Sequence, residues 1–274
     1  MSAIVTLPLV LAVVLVELAT GGAFLLWLLD RRGQAPGGFL KLTAAVDAVC
    51  GAAAVGLIPT IIPSDLAEIG LDGGPLASLG QALVVLLIML VIQLVLTFLP
   101  SGLRDLRGVA GGLTVLVGVG TLEVAAISRP PSTLSPYDPF ALAALPLGAL
   151  VLGGVCAAML LGHWYLVTPK LSPAPLQTAA LVVVAGVALQ MAVVLAAFGR
   201  GELVGITAQV GLVVAIGIRV GVGLLMTLAV ALGGWWTAKM NTQSSTGLLY
   251  VGLGTALAGE ISARVLFFLT GAAV

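Results

Sequence analysis

Six charged side chains stand inside long apolar runs of this sequence: Glu17, Asp47, Glu123, Arg219, Glu260 and Arg264. A seventh group, His163, is the single histidine of 274 residues and closes the apolar run Gly153–His163, which continues through Trp164 and Tyr165 to Lys170. Ionisable groups in hydrocarbon are costly and mark functional sites by default. Four carboxyls face two guanidiniums, so at least two acids lack a cation within this set unless His163 carries charge. The chemistry open to such a set is proton uptake and release, and hydrogen bonding to a polar ligand.

Spacing refines this. Glu260 and Arg264 are four apart, so on a helix they meet on one face. They read as an ion pair near the outer interface, structural or ligand-binding. Arg219 lies in Ile216-Gly-Ile-Arg-Val-Gly-Val-Gly223, where Gly217 and Gly221 form a small-xxx-small face for a neighbouring helix. An arginine at that depth must face inward to an acceptor, and Glu17, at similar depth, is the expected one. Asp47 and His163 both fall in the inner half. With Tyr165 close by they could deliver protons to a quinone carbonyl, although a snorkelling interfacial histidine is the plainer reading. Glu123 is expected near an outer helix end, within reach of solvent. Gln93, Gln190, Thr43 and Thr178 could serve as helix–helix hydrogen bonds.

The elements that position these groups follow from composition. Hydrophobic residues make up 60% of the chain and charged residues 8%, against about a quarter charged in soluble domains. A membrane span needs roughly 20 mostly apolar residues. Eight runs qualify, at about 7–29, 39–62, 79–99, 108–128, 140–167, 176–199, 208–236 and 246–270, with ends good to about 2–4 residues. The expectation is one all-α integral membrane domain over residues 1–274, with halves 1–128 and 140–274. The start lacks the basic region of a signal peptide and carries Glu17 within its apolar stretch. Cys50 and Cys156 both fall in expected helices outside any CxxC pattern, so packing is their reading.

Alternate loops differ in charge. One set, with its helix flanks, holds Arg31, Arg32, Lys41, Arg104, Arg107, Lys170 and Lys239; the other holds Arg129 and Arg200. Lys and Arg favour the cytoplasmic side, which places both termini and the long loops 63–78 and 129–139 outside, in a bacterial-type cytoplasmic membrane. Trp27, Trp164, Trp235 and Trp236 fall at the basic interface, where amphipathic rings anchor. The two long loops are connectors or docking surfaces. Three segment pairs share nearly one offset: Gly21-Gly22 with Gly153-Gly154, Leu42–Ala45 with Gln177–Ala180, and Val117–Thr121 with Val251–Thr255. An offset spanning four helices predicts two four-helix bundles in parallel orientation.

One histidine cannot give bis-His ligation to a b-type haem, and no CxxC pattern offers an iron–sulfur site within the chain. No deep lysine of the retinal type, P-loop or HExxH motif occurs. Nucleic acid is not an expected partner. Taken with this topology, three stretches resemble the NrfD/DmsC-like superfamily, the quinone-reactive anchors of polysulfide, dimethyl sulfoxide and related respiratory oxidoreductases. They are Glu17-Leu-Ala-Thr-Gly-Gly22, Gly162-His163-Trp164-Tyr165 and Gly259-Glu260-Ile-Ser-Ala-Arg264. The resemblance implies a subunit without a redox centre of its own, not catalytic alone, that binds menaquinone or ubiquinone near an extracytoplasmic iron–sulfur, cytochrome or other catalytic subunit. His163 would then bond the quinone, Glu17, Asp47 and Glu260 would carry protons, and Arg219 and Arg264 would stabilise charge. A proton-coupled secondary transporter and a purely structural anchor are the alternative readings.

Overall fold

The computed structural model describes residues 2–274 apart from 69, 72, 100, 131–134, 136, 169–170, 205–209 and 241. Lys170, which enters the loop charges above, and much of the 129–139 loop therefore lie outside the described residues. The described chain is helical, without strands. In order come α1 (Ser2–Arg31), α2 (Gly37–Gly56), a short α3 (Pro63–Glu68), α4 (Gly73–Leu96), α5 (Arg104–Ile127), α6 (Pro139–Val167) and α7 (Ala174–Gly199). A continuous rod follows, made of α8 (Val210–Gly217), a π-helical stretch (Ile218–Met226) and α9 (Thr227–Thr237), and α10 (Thr242–Thr270) ends the order.

Eight of these rods are long and apolar enough to cross a membrane, and they fall on the eight runs expected from sequence, although α4 starts at Gly73, within the expected loop 63–78. Only helices satisfy every backbone polar group within one segment in lipid, so an apolar chain of this kind has no other open architecture. Eight crossings return the chain to its starting side, and the two faces are called here the terminal end and the basic end.

α1 and α6 form the centre. About three-quarters of each spanning window is buried, 78% and 72%, against 22% for the α8–α9 rod. α1 packs on α2, α5, α6 and α10, and α6 on α1, α7 and α10; α4 closes on α2 and α5, and α9 on α7 and α10. The α1–α6 crossing is built on glycine. A Cβ at Gly21 would fall onto the Ala149 carbonyl oxygen and Gly153 Cα, and one at Gly153 onto the Leu18 carbonyl and Gly21 Cα. The two matched glycines of the internal repeat thus touch each other. The matched threonines also play like parts: Thr121 of α5 lies 3.4 Å from the Ala82 carbonyl of α4, and Thr255 of α10 lies 2.8 Å from Thr227 of the rod.

At the basic end, Arg107 forks onto both carboxylate oxygens of Asp30, at 2.6 and 2.8 Å, and Arg104 caps the last carbonyls of α1. Cations at a helix C-terminus complement its dipole. Trp27 donates from Nε1 to the Gly108 carbonyl at 2.9 Å. At the terminal end, Asp138 caps α6 through the Ala141 amide and pairs with Arg200, which also pairs with Glu202. Arg129 donates to the Ser135 and Gly271 carbonyls, binding the 129–139 loop to the chain's last residues. Burial holds the Arg129 guanidinium below its ordinary value, against the opposing pull of Asp138 and Glu202.

Candidate functional site

The deepest polar feature is a chain of five side chains from four rods. Arg219 of the π-helical stretch lies 2.8 Å from Glu260 Oε1, and Gln190 of α7 donates to that same oxygen at 2.8 Å. Arg264, one turn further along α10, donates from Nη2 to Glu260 Oε2 at 2.8 Å and to the Ala144 carbonyl at 3.2 Å. Its Nε lies 2.8 Å from Glu17 Oε1 on α1. All five residues are at most 2% exposed. Two carboxylates and two guanidiniums make a neutral set, which is the form such a cluster must take where no water screens it.

α6 makes room for this set through Gly148. A Cβ there would stand 2.7–2.8 Å from Glu17 Oε1, Arg264 Nη2 and Glu260 Oε2. On the other side, Gly223 of the rod packs directly on Gly259 of α10. Arg219, Gly223 and Thr227 are spaced by four and meet Glu260, Gly259 and Thr255 in antiparallel register. π-Helical segments often occur at functional sites, and this one carries Arg219.

The cluster is not saturated. Both Glu17 oxygens, Gln190 Oε1, Arg219 Nε, and Arg264 Nε and Nη1 are buried without a hydrogen bond. The Glu17–Arg264 contact therefore has the distance of an ion pair without hydrogen-bond alignment. Spare donors and a spare carboxylate share one enclosed site. An apolar cavity of about 270 Å³ lies toward the terminal end, lined by Phe198, Gly201, Leu203, Val204, Val213 and Ile216. Ile216 is one helical turn before Arg219.

Several expectations require correction. Arg219 takes Glu260 as its acceptor, not Glu17, because α10 lies along the rod whereas Glu17 faces Arg264. The Glu260–Arg264 pair forms as expected, and both side chains are fully buried within the protein. Gly217 and Gly221 meet nothing within 4 Å of where a Cβ would stand; Gly223 provides the close approach. His163 and Asp47 are not brought together. The His163 ring is exposed and its Nδ1 is 3.2 Å from the Tyr250 hydroxyl, while Asp47 is 2% exposed and packs against Gly22. Tyr165 points away from His163 and donates to the Ser172 carbonyl, closing the α6–α7 turn.

The two acids without cations are Asp47 and Glu123. Asp47 Oδ2 and Glu123 Oε2 are buried without hydrogen-bond partners, though Glu123 as a whole is half-buried. Thr43 Oγ1, one turn before Asp47, is also unpartnered. Gln190 serves as a helix–helix hydrogen bond, and its ionic partner went unanticipated in the sequence. Among the described residues no group of three or more His, Cys, Asp or Glu side chains could hold a metal ion. No protein-family model matches the chain, and no curated protein or solved structure matches it either.

Proposed function

We propose that this chain is the quinone-binding membrane anchor of a multi-subunit respiratory oxidoreductase, passing electrons between the quinone pool and a separate iron–sulfur, haem or metal-site subunit. The observation that carries the reading is the unsaturated buried cluster, with an apolar cavity whose lining residue Ile216 comes one helical turn before Arg219. Quinone chemistry requires a donor to a carbonyl oxygen, a group that exchanges a proton with it, and an apolar space for ring and tail. Arg219 Nε and Arg264 Nη1 have free N–H groups for the first role, and Glu17 Oε2 is a free oxygen for the second. Glu260, held between both arginines and Gln190, keeps the guanidiniums in place. The cavity lined by Phe198, Val213 and Ile216 supplies the third. When bound, the quinone supplies the two-electron, two-proton chemistry that the chain's own side chains lack. Two four-helix halves meeting at Gly21 and Gly153 would frame the site, with the terminal end taking the partner subunit.

The test is purification of the native protein in mild detergent, with mass spectrometry of co-purifying subunits and extraction of quinone. Stoichiometric redox subunits together with quinone support the proposal. A lone chain or homodimer free of quinone overturns it. One observation favours the second reading, a proton-coupled transporter: the helix carrying Arg219 departs from α geometry at Ile218–Met226, as transporter helices do around a substrate site. Substrate-dependent proton uptake by the lone chain in liposomes would select it.

A further inference from the structure

At the basic end, two adjoining clefts share Lys239 and Met240. One, of about 180 Å³, is lined by Trp235, Trp236, Lys239 and Met240 at the C-terminal end of α9. The other, about 440 Å³ and wider, lies over the α9–α10 turn and adds Pro173, Ala238, Thr242 and Gln243. The first is apolar in its lining and the second offers a hydroxyl and an amide. Lys239 stands between them, exposed, its Nζ 5.5 Å from the centre of the Trp235 ring. No carboxylate among the described residues lies within 4.0 Å of it. By contrast Arg107, at the same end, has its counter-ion within the fold. Trp236 and Met240 are 66% and 70% exposed.

We propose that these clefts bind one anionic phospholipid. Its phosphate would lie against Lys239, Thr242 and Gln243, and an acyl chain would follow Trp235, Trp236 and Met240. The arguments are charge and shape. A lysine without a counter-ion attracts an anionic headgroup, and interfacial tryptophans hold the glycerol level where apolar chain meets polar head. α10 starts at Thr242, so the positive end of a 29-residue helix faces the same cleft. A zwitterionic lipid would gain the apolar contact but not the net charge. This inference does not depend on the quinone reading, which concerns the other end of the same rod.

The experiment is native mass spectrometry of the delipidated full chain, titrated with dioleoyl phosphatidylglycerol or dioleoyl phosphatidylcholine. The wild type is expected to retain one phosphatidylglycerol in preference to phosphatidylcholine. Lys239→Gln should weaken that binding about fivefold, the effect of one lysine at an anionic lipid surface, and Trp236→Ala should weaken both lipids. Lys41→Gln, a lysine at the same end placed over Phe98, should leave the affinity unchanged. Equal binding of the two lipids, an unaltered Lys239→Gln, or an equal loss in Lys41→Gln would each overturn the proposal. So would displacement of the lipid by decylubiquinone, which would assign the clefts to a quinone instead.

Discussion

Replacing Arg264 by leucine removes the side chain that pairs with both Glu17 and Glu260. In the intact cluster the formal charges cancel, with Arg264 2.8 Å from each carboxylate and fully buried. The substitution leaves two buried acids and Arg219, a net charge of −1 with no solvent to screen it. Breaking a buried ion pair from one side costs about 3–5 kcal/mol, whereas removing both partners for apolar groups is often neutral. In Glu17→Leu/Arg264→Leu the remaining Glu260, Arg219 and Gln190 are again neutral. The residual penalty is then the donor lost from Glu260 Oε2, about 1–3 kcal/mol. The double variant should be more stable than Arg264→Leu by roughly 2 kcal/mol. The assay is equilibrium unfolding in mixed micelles titrated with sodium dodecyl sulfate, followed by circular dichroism, for both singles and the double. Effects that add within about 0.5 kcal/mol would mean the residues are energetically independent and would refute the cluster as a unit.

Other consequences are simpler. Gly153→Val should lower stability by about 1–3 kcal/mol or more, the cost of overpacking, because the added atoms fall on the α1 backbone at Leu18 and Gly21; wild-type unfolding would contradict the α1–α6 crossing. Arg129→Ala should free the 129–139 loop and the last residues together, seen as new cleavage by a non-specific protease at both places, since one guanidinium holds both. His163→Ala should change stability by less than about 0.5 kcal/mol, as expected of an exposed site. In the proposed oxidoreductase, Glu17→Gln should lower quinone-linked turnover at least tenfold, within the range of a positioned proton-transfer group, while His163→Ala stays within about twofold. The reverse pattern would move the reaction to the basic end.

The eight spans were readable because hydrocarbon permits few solutions. Apolar runs of this length have to be helices, and the structure sets each within a few residues of its expected place. Partner choice was less legible, since pairing depends on which helices are neighbours. Some of it was nonetheless present in the spacing. Once Arg219 must face inward, Gly223, four residues on, shares its face, whereas Gly217 and Gly221 are two residues away on either side and do not. The same rule separates His163 from Tyr165. The four-residue spacing of Glu260 and Arg264 correctly placed two charges on one face. It could not show that α1 would bring Glu17 to that face, or α7 Gln190. Gly148 gave no signal, because a glycine that makes room for charges on other helices looks like any other small residue.

The cluster's composition argues against a purely stabilising role. Five large polar side chains from four rods occupy space that leucine and phenylalanine would fill at equal or lower free energy, and six of their polar atoms remain without hydrogen bonds. Each such atom costs free energy in a buried site. A structural ion pair would be expected to close on itself, as Arg107 and Asp30 do with two short bonds. Here Glu260 is closed in that way, by three donors, while Glu17 has only the ion-pair contact of its Oε1 with Arg264 and leaves Oε2 without a partner. The asymmetry separates two tasks within one neutral set. In the proposed oxidoreductase Glu260 would fix the guanidiniums, and Glu17 Oε2 would be the carboxylate oxygen available to a ligand. Among the described residues Asp47 and Glu123 have no cation within 4.0 Å and lack this support, so in the proposed oxidoreductase a ligand needing both a donor and a proton partner would find them together at Glu17, Arg264 and Arg219.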